Sequence, residues 1–264
     1  MRIRLNHLTQ LPLTPTQAAL WFLGQAGYVV RAGEITVALD PYLTDSVGAI
    51  APELARCVPP PLSPEELRVD LFLVTHDHLD HLDPGTVAAY RYKDTTRFVA
   101  PRFAARKLAA LGAPAPSITR VEVGETVVLN GVTISGVFAL PTGPDVLDTV
   151  GFQVTFPNGR SLYLAGDTAY CPLLLQAAPR GVDVLLAAIN GKWGNLNVEQ
   201  AVELTRVVGP RYVLPNHYDV MALNSERPET FRYFCAAGGT TAEVKILKCG
   251  DAFIWGEKHE PDTD

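Results

Sequence analysis

The sequence predicts an α/β fold, an αββα sandwich in which two mixed β-sheets pack together and are flanked by helices. Short apolar strands crowd the N-terminal stretch, and strands then alternate with helices in both halves of the chain. A chain of 264 residues, 47% apolar and 19% charged, has an ordinary globular composition and is long enough for one large core. It is read as one domain over residues 1–264.

"ALWFLG", "YVVRAG" and "ITVALDP" read as three strands, with "RAGE" as a hairpin connection between the last two. "APELARCVPPPLSPEEL" is proline-rich and reads as a loop. "VDLFLVT" is a buried strand ending at Thr75. Asp83 before Pro84 has the chemistry of a helix start, an N-cap acceptor followed by a residue whose missing N–H costs nothing there. That helix is expected to run through "GTVAAYRYK". "TRFVAP" is a strand, and "RFAARKLAALG" a helix closed by Gly112. "ETVVLNGVTISGVFAL" and "VGFQVTFPNGRSLYLAGD" are strand pairs, each joined through Asn-Gly. Then follow "PLLLQAA" (helix), "VDVLLAAIN" (strand), "NVEQAVELTRVVG" (helix), "RYVLPN" (strand), "PETFRYFCAAGG" (helix) and one last strand, "AEVKILKCGDAFIW". The tail "GEKHEPDTD" is polar and expected to fray.

A net charge of −6 argues against a nucleic-acid partner, which needs a clustered basic surface. No apolar run is long enough to span a bilayer and the N-terminus has no signal-like apolar segment, so a cytoplasmic protein without a membrane partner is expected. Cys57, Cys171, Cys235 and Cys249 are too dispersed for a CxxC site and read as reduced, mostly buried thiols.

Half of the chain's 6 histidines fall in "THDHLDH", just past a buried strand. Residues two apart on an extended chain point the same way, so His76 and His78 can face one point. A turn after them can aim Asp80 and His81 at a second point nearby. Imidazole and carboxylate without thiolate suit a catalytic Zn²⁺, Mn²⁺ or Fe²⁺ better than a structural zinc. "LYLAGDTAY" delivers Asp167 at a strand end, past a glycine that lets the backbone approach closely, and "YVLPNHYD" delivers His217 in the same way. Alone, Asp167 reads equally well as a turn residue and His217 as a surface histidine. Beside the first motif both become candidate ligands.

Strand–THDHLDH–GDT–PNHYD resembles the metallo-β-lactamase fold superfamily, with its His-x-His-x-Asp-His signature. "LWFLGQAGYVVRAGEITVALDPYL", "LYLAGDTAY" and "VLPNHYD" look most like its L-ascorbate-6-phosphate lactonase branch. The resemblance implies that His76 and His78 hold a first metal, that Asp80, His81 and His217 hold a second, and that Asp167 bridges them. It implies one or two divalent ions per chain, manganese from the lactonase branch or zinc from the wider superfamily, and a homo-oligomer. Asp40 would be an outer acceptor that orients a ligand histidine. It reads equally well as a turn aspartate before proline. One departure is visible: where most of the superfamily has a further histidine, this chain reads "VFALPTGPDVLDTVGF". His7 and His259 lie near the termini, and Asp145, Asp148 or a water are the alternatives for the gap.

A bound divalent ion lowers the pKa of water from about 15.7 to about 7, and Asp80 and Asp167 are the candidate catalytic carboxylates. No G-x-S-x-G elbow or P-loop competes. The expected activity is hydrolysis of a small-molecule lactone or ester, phosphorylated in the branch resembled. The alternatives are a phosphodiesterase or nuclease of the same fold and a non-catalytic, metal-binding oligomeric module. In "AINGKWGNLN", Asn190, Lys192 and Asn195 are candidate substrate contacts, as is Tyr218 beside His217. The plainer reading of that loop is a turn with Asn197 capping the next helix, and that of Tyr218 is packing.

Overall fold

The computed structural model describes residues 10–256. His7, His259 and all but the first residue of the predicted frayed tail lie outside the described residues. The first sheet runs in the order β14-β1-β2-β3-β4-β5-β6. Its strands are β1 (Ala18–Gly24), β2 (Gly27–Ala32), β3 (Ile35–Leu39), β4 (Leu71–Leu73), β5 (Arg97–Ala100), β6 (Ile118–Arg120) and β14 (Ala252–Trp255). The second sheet has the order β13-β12-β11-β10-β9-β8-β7. It comprises β7 (Thr126–Leu129), β8 (Val132–Phe138), β9 (Val150–Thr155), β10 (Ser161–Leu164), β11 (Val184–Ala188), β12 (Tyr212–Asn216) and β13 (Glu243–Val244). Each sheet is part antiparallel and part parallel: β3 to β6 run parallel in the first, β10 to β13 in the second.

Alternation along the strands divides the apolar residues among three layers. Leu20, Phe22, Leu39 and Leu73 meet Ile134, Phe152, Leu164 and Leu214 between the sheets. The opposite face of the first sheet, with Trp21, Phe72 and Phe98, is covered by α2 (Pro84–Ala89) through Val87 and by α3 (Arg102–Ala110) through Ala104 and Leu108. Tyr163, Leu185 and Val213 turn outward from the second sheet onto α4 (Pro172–Ala177), α5 (Val198–Val208) and α6 (Pro228–Ala237). This is the predicted α/β sandwich.

Local differences have local causes. The helix after Asp83 ends at Ala89, because Tyr90 turns extended and buries its ring. Lys93 Nζ then caps the freed carbonyls of Ala88 and Tyr90 at 2.9 and 3.0 Å. The predicted last strand is two strands, β13 and β14, in different sheets. Gly250, at φ +95°, turns the chain between Lys248 and Asp251 and returns it to β1. α1 (Ser46–Ile50) and β6 were not predicted, and the proline-rich loop carries two 3₁₀ turns, Pro52–Leu54 and Pro64–Glu66. The four cysteines are free, as expected, but only Cys235 is buried and Cys57 is exposed. Among the described residues, no helix is long and apolar enough to cross a membrane.

Candidate metal centre

The parallel strands of both sheets end along one edge, and that edge collects the polar residues. Asp40 follows β3, His76 to His81 follow β4, Asp167 follows β10, Asn190 follows β11 and His217 follows β12. Carboxyl ends of parallel strands are where α/β folds place ligands. Backbone strain concentrates there: Gln25, Asp40 and His217 hold φ of +58°, +41° and +61°. Such conformations cost about 1–3 kcal/mol each and persist where the surroundings fix them. His217 is fixed by its N–H to Gln25 O at 2.9 Å and its C=O to Glu226 N at 3.2 Å.

Two triads form. His76, His78 and Asp167 make one, and Asp80, His81 and His217 the other, with the ligand atoms of each within 4.8 Å of one another. One cation at about 2.0–2.2 Å from each atom would fit such a spacing. Asp167 Oδ1 lies 2.9 Å from His217 Nε2 and 3.2 Å from His81 Nε2. All three atoms are buried, yet none makes an aligned hydrogen bond. Buried polar groups without partners are rare, and these three converge on a shared point rather than on each other. That donor set fits a divalent cation.

The outer contacts set which nitrogen is bare in two of the imidazoles, His76 and His81. Buried Asp40 accepts Thr75 N through Oδ1 at 2.8 Å, and His81 Nδ1 and Thr75 Oγ1 through Oδ2 at 2.8 and 2.6 Å. Thr75 Oγ1, its proton given to Asp40, accepts His76 Nδ1–H at 2.9 Å. One carboxylate thus fixes two histidines with Nε2 facing inward. His76 Nε2 meets His78 Nδ1 at 2.9 Å, so those two nitrogens face the same point. Gly166, at φ +67°, lets the Asp167 segment pass Thr75, where an added Cβ would meet the Thr75 Cβ at 3.2 Å.

Charge and burial act together on these groups. Burial, reinforced by His81, holds His76 well below the ordinary imidazole range. Burial also disfavours charge on His81, but Asp167 and Asp80 outweigh it and raise His81 well above that range. His217 is likewise raised, burial being overcome by Asp167. Asp167 is driven well below the carboxylate range, since His217 and His81 outweigh its burial.

Asp145 Oδ2 lies 3.4 Å from His78 Nε2, the nitrogen that points away from His76, so it meets that imidazole from outside and is not one of the triads' ligand atoms. Asp148 is turned elsewhere and accepts the N–H of Phe103 at 2.9 Å. Asn195 lines the site and donates to Asp167 Oδ2 at 2.8 Å, so its amide holds the carboxylate that belongs to the first triad and reaches His81 and His217 of the second. Asn190 is buried and donates to Asn224 Oδ1 at 2.5 Å. That oxygen is 3.4 Å from His217 Nδ1, which also has the amide nitrogen of Gln25 at 3.0 Å. Lys192 is exposed and does not line the pocket. Tyr218 does not reach the site, which corrects its reading as a substrate contact: it is buried, stacks on Phe22 and donates to Leu247 O.

Gln25, Asn224, Thr142 and Trp193 were missed by sequence reasoning. Gln25 Nε2 donates to Asp80 Oδ2 at 2.9 Å and lies 3.0 Å from His217 Nδ1. Its only signal is a buried amide between the glycines of "GQAG". Above the triads opens a cavity of about 180 Å³, lined by His78, Asp80, Asp167, Thr142, Asn195 and Asn224 and by apolar Val47, Leu54, Trp193 and Met221.

An αββα sandwich with paired His/Asp triads at its strand ends defines a class of metallohydrolases. Residues 36–218 match the family model of the beta-lactamase superfamily domain, which places the chain in the metallo-β-lactamase superfamily. The chain belongs within it to the UPF0173 metal-dependent hydrolase family. It is 30% identical over 244 residues to a member from Pyrococcus abyssi, covering 87% of this chain and 96% of that one. A member from Archaeoglobus fulgidus is 29% identical over 250 residues, covering 88% and 96%. Among solved structures, Igni18, a metallo hydrolase from Ignicoccus hospitalis, superposes with a TM-score of 0.73 at 22% identity, covering 92% of this chain and 100% of that one. An isothiocyanate hydrolase from Delia radicum gut bacteria gives 0.71 at 19%, covering 90% and 99%.

Proposed function

We propose that this metal-dependent hydrolase opens a small lactone or ester, as the resemblance to ascorbate-phosphate lactonases suggests, with two ions of manganese or zinc. The observation that carries the reading is the pair of adjacent triads, with Asp167 of the first 2.9 and 3.2 Å from His217 and His81 of the second, beneath a cavity sized for a small molecule. His76 Nε2, His78 Nδ1 and Asp167 would hold one ion, and Asp80, His81 Nε2 and His217 Nε2 the other. Bound there, such ions would supply the acidification of a water and the polarisation of a carbonyl oxygen, so no side-chain nucleophile would be needed.

The chain's own residues do the rest. Asp80 lines the cavity with one oxygen held by Gln25, which aims the carboxylate to accept a proton at its other oxygen. Asn195 holds Asp167 Oδ2 so that Oδ1 stays turned toward His81 and His217. Asp40 keeps two imidazoles in the tautomer that presents Nε2.

The test is a panel of small lactones and esters, offered to the protein loaded with Mn²⁺ or Zn²⁺. Asp80→Asn should lower kcat by about 10²–10⁴-fold, the scale of a lost general base. Turnover unaffected by this change or by a chelator would contradict the proposal.

A further inference from the structure

The cavity wall narrows the substrate class, an inference that rests on the ester or lactone reading. Polar groups occupy the floor of the cavity, beside the triads. The remaining wall is Val47 of α1, Leu54, Met221 and Trp193. Among the described residues, no lysine or arginine lines it. Two cations from neighbouring segments are committed elsewhere. Arg56 does not line the cavity: it sits 4.9 Å over the Tyr42 ring and donates to the carbonyls of Tyr42 and Val58 through Nη1 and Nε, while its Nη2 is buried without a hydrogen-bond partner. Lys107 donates to Asp77 O at 2.6 Å. With the reacting carbonyl beside the triads, a phosphate at the far end of the substrate would lie against Val47, Leu54, Met221 and Trp193 and meet no side-chain cation, which is costly in a partly desolvated site.

Trp193 is held where an aromatic ring is otherwise hard to explain. Its backbone is left-handed at φ +47°, in a tight turn closed by Asn195 N to Lys192 O at 2.9 Å. Gly194 after it passes so close to Thr142 O that an added Cβ would lie 2.7 Å away. The turn is therefore pinned, yet the Trp193 side chain is left 58% exposed at the cavity, while Trp21 and Trp255 are buried at 3% and 2%. Strained residues of this kind cluster at ligand clamps, and an exposed aromatic beside a small apolar wall gains area when a ligand covers it.

We infer that the site takes an uncharged substrate whose acyl or alkyl substituent packs against Trp193, Met221, Leu54 and Val47, and that it does not take a sugar phosphate. The experiment is calorimetric and fluorescence titration of the metal-loaded full chain with 4-phenylbutyramide, an amide stand-in for such an ester, and with glucose 6-phosphate. The amide should saturate and shift the tryptophan emission to shorter wavelength, since Trp193 is the exposed tryptophan. Trp193→Ala should weaken amide binding about tenfold, from the apolar area lost, and Trp193→Phe should abolish the emission shift while keeping most of the affinity. Tighter binding of glucose 6-phosphate than of the amide, or amide binding indifferent to Trp193→Ala, would overturn the inference. Amide binding together with no hydrolysis of any lactone or ester would instead count against the proposed reaction and leave the apolar site standing.

Discussion

The chemistry of single residues here is a matter of which atoms are left bare. Asp40 acts on two imidazoles at once, directly on His81 and through Thr75 on His76. Outer partners of this kind are worth about 10–100-fold in metal affinity. Asp40→Asn should therefore weaken both sites together, measured by competition with a chromophoric chelator; loss of one ion with the other untouched would contradict the shared role. Protonation gives a second expectation. His81 and His217 are raised by Asp167, so in the metal-free protein protons occupy ligand nitrogens that a cation must displace. For His81 the displaced proton is on Nε2, because Nδ1 stays donated to Asp40. Metal uptake should release protons, and affinity should fall as pH falls through these raised values. Calorimetry in buffers of different ionisation enthalpy checks it, and buffer-independent heats would refute it. The histidines and aspartates of the site were legible because imidazole and carboxylate at two-residue spacing are rare for any other purpose. Gln25 and Asn224 were not, because an amide is recognisable as an outer partner only once folding brings it against His217, 192 residues from Gln25 in sequence.

At the scale of elements, the site depends on how strand ends are tied. Asp83 caps α2 through Gly85 N at 3.0 Å and also accepts Thr44 N, Thr44 Oγ1 and Thr86 Oγ1, at 2.9, 2.8 and 2.5 Å. It joins the loop leaving β3 to the end of the histidine motif. Asp83→Ala should cost about 3 kcal/mol, since it leaves several buried donors unpaired; a loss under about 1 kcal/mol in urea unfolding would mean the hub is dispensable. Gly166→Ala should cost about 1–3 kcal/mol, from its left-handed backbone and the approach to Thr75. Strands with clear apolar runs, such as β1, β2 and β11, were legible from the sequence, as was the Asp83–Pro84 helix start. The split of the last strand was not. A local pattern of apolar residues shows that a segment is extended, but not which of two sheets it joins, and only Gly250 hinted at the turn.

In the whole molecule, the two sheets turn the carboxyl ends of their parallel strands to one edge, so each sheet contributes to both triads' surroundings. β4 supplies the histidine motif from the first sheet, while β10 and β12 supply Asp167 and His217 from the second. Neither sheet alone could close a coordination sphere, which ties metal binding to the packing of one sheet on the other. A saturating ion should raise Tm, because it binds the folded chain only. On the proposed reading this edge would hold two cations, one at His76, His78 and Asp167 and the other at Asp80, His81 and His217, despite the missing histidine. Elemental mass spectrometry on protein purified without added metal or chelator, and again after reconstitution with Mn²⁺ or Zn²⁺, tests it most directly. Two ions per chain, falling in the Asp167→Ala protein, is the expected result. A chain that takes up one divalent ion or none after reconstitution would contradict it.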